Sequence, residues 1–320
     1  MLYQKALNLP LLVDRYDRPV TNLRISVTQR CDLNCIYCHR EGEVRGDGKE
    51  LSTEQFNAII RAAAQLGIKQ FKFTGGEPLL RADLPSMVKT AVSEGAIDVA
   101  ITTNGTLLWR RARELHEAGL MRVNVSLPST RRDVYKEITG KDMLDKVLKG
   151  VEEAAKRFRL VKLNMVVLKG VNDDELEEAM SIAKEYNAVL QLIELEPIGI
   201  DMDFYKTHHL DLSTIEKELK ARASKIEVRR LMNNRRKYLV NGVEVEVVRP
   251  IENSEFCLHC TRLRVTSNGF LKPCLMRNDN LVKIDEEDFN SIEKLKQKII
   301  QAVMLREPLY KEAINQRLKL

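Results

Sequence analysis

The 320-residue chain carries 52 Lys and Arg against 46 Asp and Glu, a formal charge of +6, with 31% charged and 44% hydrophobic residues. That balance suits a folded chain with a sizeable core and excludes disorder. The charge excess is too small to indicate nucleic acid, no stretch approaches the roughly 18 apolar residues of a membrane span, and residues 1–18 lack the apolar centre of a secretory signal, so a cytoplasmic location is expected.

From residue 20 to 200 the pattern alternates. Residues 23–28 have strand character and lead into a loop with Gly42, Gly46 and Gly48. Ser52, Thr53 and Glu54 start a helix that runs to residue 66. Residues 69–74 form a strand ending in Gly75-Gly76, followed by a helix at 84–94 and a buried strand at 97–103. A helix at 107–118, a strand at 122–126, a helix-rich stretch at 131–158, a strand at 161–168, a helix at 173–186 and a strand at 189–195 complete about six strand–helix units. Such regular alternation predicts a parallel sheet with helical crossovers, either an open doubly wound sheet or a barrel. In both, the site lies at the carboxyl ends of the strands. No G-x-G-x-x-G follows the first strand, which argues against dinucleotide binding. Beyond residue 200 the texture changes. A polar helix is expected at 207–224, hairpins at Asn241-Gly242 and Asn268-Gly269, and a closing helix at 291–306.

The cysteines fall into two triplets. Cys31-x3-Cys35-x2-Cys38 places three thiolates in a short loop after the first strand. Three thiolates on a four-iron cube leave one iron open. Zinc would need a fourth ligand, and a His39 ligand directly after Cys38 would point away from the shared centre. Cys257-x2-Cys260-x13-Cys274 is less specific by itself: zinc with His259 or a distant ligand is the alternative to a second cluster. No cysteine remains to complete either set. Arg262 and Arg264, alternate residues on a strand, can reach one anion together. Arg24, Lys72 and Lys162 each interrupt an apolar strand, and a charge in a core-facing strand needs a partner.

The first triplet with Tyr37 before its last cysteine, and Thr74-Gly75-Gly76-Glu77-Pro78, resemble the cluster loop and the methionine-binding motif of the radical S-adenosylmethionine (radical SAM) enzymes. Adding Cys257, Cys260, Thr261, Arg262, Leu263, Arg264 and Cys274, the chain resembles the GTP 3′,8-cyclase family of molybdenum cofactor biosynthesis over almost its whole length. The resemblance implies an α/β fold: an incomplete (β/α)6 TIM-like barrel (1–200) whose mouth is closed by a smaller C-terminal extension (201–320) carrying a second iron–sulfur site. It implies two [4Fe-4S] clusters, held by Cys31, Cys35 and Cys38 and by Cys257, Cys260 and Cys274. S-adenosylmethionine would sit against Tyr37, Gly76 and Ser126. GTP would be met by Arg24, Lys72, Thr102, Lys162, Arg262, Leu263 and Arg264. Reductive cleavage of S-adenosylmethionine at the first cluster would give a 5′-deoxyadenosyl radical that takes the ribose 3′ hydrogen of GTP, and the carbon radical would attack C8. An electron donor and the next enzyme of pterin synthesis are the implied partners, and a homodimer is compatible with the family. Relatives often carry a base where this chain has Gln70 and an Arg where it has Gln191. Many end in Gly-Gly, where this chain ends Arg317-Leu-Lys-Leu320. Triphosphate binding is therefore expected to be thinner, or rearranged through Lys69 or another base. The alternatives are a radical SAM enzyme acting on a peptide or a different purine, and a zinc-binding scaffold without catalysis.

Overall fold

The strand–helix alternation is realised in the computed structural model, which describes residues 12–43 and 49–309. Residues 1–11, Gly46, Gly48 and the chain end at 317–320 lie outside the described residues. The strands β1 (Asn22–Ser26), β2 (Gln70–Thr74), β3 (Asp98–Thr103), β4 (Arg122–Ser126), β5 (Leu160–Val167) and β6 (Val189–Glu194) run parallel and in sequence order. The helices α1 (Thr53–Gln65), α2 (Leu84–Ser93), α3 (Leu108–Glu117), α4 (Arg132–Thr139), α5 (Leu144–Ala155) and α6 (Leu176–Glu185) form the crossovers.

Local chemistry sets the boundaries. Ser52 caps α1 with a reciprocal bond to Gln55, and Phe56, Ile59, Ile60 and Ala63 make its buried stripe. The helix-rich stretch at 131–158 is two helices, because Gly140 takes a left-handed conformation (φ 78°) that ends α4. The polar stretch expected as one helix at 207–224 is likewise divided into α7 (Met202–His208) and α8 (Ser213–Arg222). Asp211 accepts from the Ser213 N–H and hydroxyl, a local turn that competes with helix.

The C-terminal segment does more than cover an opening. It forms β7 (Lys225–Arg229), β8 (Arg235–Val240), β9 (Val243–Val248), the short helix α9 (Ser254–Leu258), β10 (Arg262–Val265), β11 (Phe270–Lys272), β12 (Val282–Lys283) and the closing helix α10 (Ile292–Met304). Strand β9 pairs parallel to β6, and β10 pairs parallel to β1. The six-stranded core therefore gains a parallel strand at each edge, in the order β12-β11-β10-β1-β2-β3-β4-β5-β6-β9-β8-β7. The two expected hairpins are present. Asn241 and Gly242 both have positive φ (51° and 84°), as a two-residue turn between β8 and β9 requires. The hairpin that joins β10 to β11 turns at Gly269 (φ 90°).

The hydrophobic core lies between the sheet and the helices. Leu23, Ile25, Phe71, Phe73, Val99, Ile101, Val123, Val125 and Leu163 are all fully buried in it. These positions alternate with polar ones, Arg24, Lys72, Thr102, Asn124 and Lys162, which line an interior cavity of about 300 Å³. Successive strand residues face opposite sides. One face of the sheet is thus the packed core and the other is a polar chamber.

Candidate active site

The chamber brings both cysteine triplets onto one cavity. Cys31, Cys35 and Cys38 line it with Tyr37, and so do Cys257, Cys260 and Cys274. All six are free thiols. The first loop leaves β1 and is seated on the end of β2 through backbone bonds: Gly76 N–H donates to Thr28 O at 2.6 Å and Glu77 N–H to Arg30 O at 2.7 Å. Gly75 (φ 150°) and Gly76 are required there, since a Cβ at either would overlap the carbonyl oxygens of Thr28 or Arg30. Gly76→Ala is expected to destabilise the fold by about 1–3 kcal/mol. Denaturant unfolding measures this, and a variant within about 0.5 kcal/mol of the parent would show that the loop does not depend on that seat.

The electrostatics of the first triplet suit a cationic group. Burial pushes the Cys35 thiol up to about 12, with Cys38 and Cys31 adding to the shift, and burial also raises Cys31. Three bare thiolates are unfavourable here; iron bound by them would supply the charge that holds them deprotonated. Each of the two imidazoles that zinc could use has one ring nitrogen engaged by backbone. His39 Nδ1 accepts from Glu41 N–H at 3.0 Å and its Nε2 stands 3.9 Å from Glu196, while His259 Nδ1 lies 2.9 Å from the Glu255 carbonyl oxygen.

At the second triplet the thiols differ: burial raises Cys274, whereas Cys260 is lowered. Burial opposes ionisation of Cys260, but Arg306, Arg262 and Arg18 outweigh it and bring the thiol down to about 7. Arg18 donates to the Cys257 carbonyl at 2.9 Å and Arg306 to the Cys260 carbonyl at 2.5 Å. Two distant segments thus clamp the backbone of this loop, and nothing in the motifs foreshadowed them.

Glu77, just past the glycine pair, is fully buried. It accepts from Thr103 Oγ1 and Asn104 N–H at 2.7 Å and from Leu79 N–H at 2.9 Å. Burial pushes its carboxyl up to about 7, against the pull of these donors. A cation placed beside it would hold it ionised.

Between the triplets lies a belt of basic side chains. Arg24, Lys72, Lys162, Arg262 and Arg264 all face the cavity as expected, and Arg122 joins them. Glu41, in the loop after Cys38, faces Arg264 at 2.7 Å, Arg24 at 3.6 Å and the Thr74 hydroxyl at 2.9 Å. Burial opposes its charge, yet Arg24 and Arg264 hold the carboxyl at about 2. Arg122 donates from Nε and one terminal nitrogen to the two carboxylate oxygens of Asp98, at 2.6 and 2.5 Å. Lys162 is paired with Glu246. Lys72 and Arg262 make no ion pair among the described residues. Burial lowers Lys72 well below the usual lysine range, and the neighbouring cations Arg122 and Arg24 lower it further. Buried polar atoms of Arg24 (Nε) and Thr102 (Oγ1) have no hydrogen-bond partner among the described residues. Basic side chains without a counter-ion and unsatisfied buried polar atoms around one cavity suit a polyanionic ligand.

Of the residues that the resemblance assigns to a cluster, to S-adenosylmethionine or to GTP, all line this cavity except Leu263; Glu77 and Pro78 of the second motif are buried behind it. The Leu263 side chain is buried in the hydrophobic core, because it lies between Arg262 and Arg264 on an alternating strand. Any contact it makes with a ligand comes from its backbone. Lys69 does not supply the extra base: its Nζ donates to the Glu94 carbonyl at 2.6 Å, at the end of α2. Sequence reasoning missed Arg122, Asn124, Asn164 and Glu246. The signal was available, since each breaks an apolar strand at every second position, as Lys162 does.

Comparison with known proteins agrees with this geometry. Residues 25–183 match the family model described as Radical SAM superfamily, and residues 188–312 match Molybdenum Cofactor Synthesis C. A protein of Pyrococcus abyssi named probable GTP 3′,8-cyclase is 49% identical over 281 residues, covering 86% of this chain and 90% of its own. One of the same name from Pyrococcus horikoshii is 46% identical, over 94% of this chain and 98% of its own. Among solved structures, Streptococcus suis SuiB bound to S-adenosylmethionine superimposes with a TM-score of 0.64 at 18% identity, over 98% of this chain and 70% of that one. Native anSMEcpe with bound AdoMet gives 0.58 at 17% identity, over 86% and 82%. These two share the fold, a partial TIM-like barrel. The superfamily match supports S-adenosylmethionine and an iron–sulfur cluster as cofactors. Identity this high, over most of both chains, together with both matched families, means that the chain belongs to the GTP 3′,8-cyclase family within the radical SAM superfamily.

Proposed function

We propose that this protein is a radical SAM GTP 3′,8-cyclase. It would convert GTP to (8S)-3′,8-cyclo-7,8-dihydroguanosine 5′-triphosphate, the first step of molybdenum cofactor biosynthesis. The observation that carries this reading is the single cavity lined by two cysteine triplets and a cationic belt. Cys31, Cys35 and Cys38 would hold one [4Fe-4S] cluster, which when bound supplies the electron that cleaves S-adenosylmethionine. Tyr37, Gly76 and Ser126 are assigned to that cofactor. Glu77, buried just behind Gly76, would be held ionised by the ammonium of that cofactor. Cys257, Cys260 and Cys274 would hold a second cluster, with Arg18 and Arg306 fixing the backbone of the loop. Arg24, Lys72, Thr102, Lys162, Arg262 and Arg264 are assigned to GTP, Leu263 through its backbone. Arg262 leaves cationic charge for the triphosphate, which would also hold Lys72 protonated, and charge-assisted bonds to it contribute roughly 1.5–3 kcal/mol each.

In this reading residues 1–200 form the radical SAM barrel and residues 201–320 the extension. An electron donor and an enzyme that takes up the cyclised nucleotide complete the reaction. A reducing cytoplasm suits six free thiols. The test is anaerobic incubation of reconstituted protein with GTP, S-adenosylmethionine and dithionite. The expected result is 5′-deoxyadenosine and the cyclised nucleotide in step. Formation of 5′-deoxyadenosine with no GTP-derived product would point instead to another substrate.

A further inference from the structure

Glu246 is the one carboxylate on β9 that faces inward beside β6, and it is completely buried. Three cations converge on it: Lys162, Arg229 at 2.9 Å and Arg235 at 3.5 Å. Burial opposes its ionisation, but Arg235, Lys162 and Arg229 hold it well below the usual carboxylate range. Lys162 and Arg235 are buried and Arg229 is partly exposed; burial lowers Lys162 to about 7, so the one carboxylate faces two lasting cations, the guanidinium groups of Arg229 and Arg235. Lys162 and Arg229 already occupy its two oxygens. The Arg235 guanidinium is the outlying member. It reaches from β8 across β9, anchored by Nε donating to Met232 O at 2.9 Å, and one terminal nitrogen donates to Gln191 Oε1 at 3.1 Å. The Gln191 amide nitrogen in turn donates to Asn164 Oδ1 at 3.1 Å, which directs the amide oxygen toward Arg235. Arg235, Gln191, Asn164 and Lys162 all line the cavity.

We propose that Arg235 is a further triphosphate-binding residue, delivered to the cavity from β8 and oriented by Gln191 and Glu246. This rests on the GTP reading and deepens it. Gln191 is then no gap in the cationic belt. It is the neutral acceptor that aims a guanidinium originating two strands away, and Glu246 holds Arg235 and Lys162 on the same wall. A purely structural Arg235 would be superfluous to Glu246, which has two closer partners. A phosphate oxygen gives the surplus charge its counter-ion.

The experiment is anaerobic calorimetry on the reconstituted holoenzyme with S-adenosylmethionine present, using GTP, guanosine and inorganic tripolyphosphate as separate probes. Arg235→Gln should weaken GTP and tripolyphosphate by about tenfold to a hundredfold, the span of one charge-assisted bond, and leave guanosine within about twofold. Unchanged tripolyphosphate affinity would overturn the inference, and so would an equal loss for guanosine, which would place Arg235 at the base end or in the fold. If Arg235→Gln does not fold, Arg235→Lys retains the charge beside Glu246 but cannot match the guanidinium's planar reach. It should lose about threefold or more for tripolyphosphate, and no loss would overturn the proposal. The wild-type protein separates the two claims. If it binds GTP no better than guanosine, the GTP reading itself fails; if it strongly prefers GTP while both variants match it, only the assignment of Arg235 fails.

Discussion

Cys260→Ala should abolish conversion of GTP while cleavage of S-adenosylmethionine continues. The two triplets lie on one cavity but on independent supports. The first is seated on the end of β2 through Gly76 and Glu77, the second on backbone clamps from Arg18 and Arg306. Loss of a thiolate at Cys260 removes one of three ligands from a set that has no spare cysteine. Iron should fall from about eight to about four per chain, the difference of one four-iron cluster. Anaerobic chromatography of 5′-deoxyadenosine and of the nucleotide product, beside iron and sulfide analysis, measures all three quantities. An unchanged product yield would remove the second site from the reaction, and loss of all iron would show that the two sites fold as one.

Arg306→Leu is expected to cost about 3 kcal/mol or more of stability, because it breaks a buried charge network. The Arg306 guanidinium is almost completely buried. It lies 3.1 Å from Asp14 and donates to the Arg18 carbonyl at 3.2 Å as well as to Cys260. Arg18 still pairs with Asp14 at 2.8 Å after the change, but two buried carbonyls lose their donor. The same substitution takes away the first of the cations that hold the Cys260 thiol down, so its pKa should rise from about 7. Denaturant unfolding and the pH dependence of thiol alkylation in the iron-free protein report the two effects separately. A stability loss under about 1 kcal/mol would mean that the network is not shared between the chain's two ends. An unmoved thiol pKa would mean that Arg262 and Arg18 suffice.

How much of this was legible in one dimension differs by element. The six strand–helix units follow from periodicity, since a strand with one face in the core and helices with a buried stripe write their period into the chain. Ser52 and Gln55 mark a helix start by chemistry that operates within one turn. The triplets, Thr74-Gly75-Gly76 and the basic residues inside strands are local as well, and all reach the cavity. Leu263 departs from that pattern because strand alternation sends it into the core while its neighbours face inward. Strand β7 carried little signal: Ile226 and Val228 alternate, but both are exposed at the end of the sheet and pack on no core.

By itself, then, the sequence determined the repeating architecture, the family and the identity of the thiols, because each is encoded by residues close together along the chain. Only the tertiary structure decided where the last third of the chain goes. Strands β9 and β10 extend opposite edges of the barrel, and that placement brings the Arg235 guanidinium into the chamber wall, with Glu246 buried behind it, and brings Arg18 and Arg306 to the second triplet. The physical reason is that pairing of charges is a matter of distance in space. Arg306 and Asp14 are nearly three hundred positions apart in sequence and 3.1 Å apart in the fold. No periodicity records such a contact, whereas the desolvation of a buried charge makes it obligatory once the sheet has closed around it.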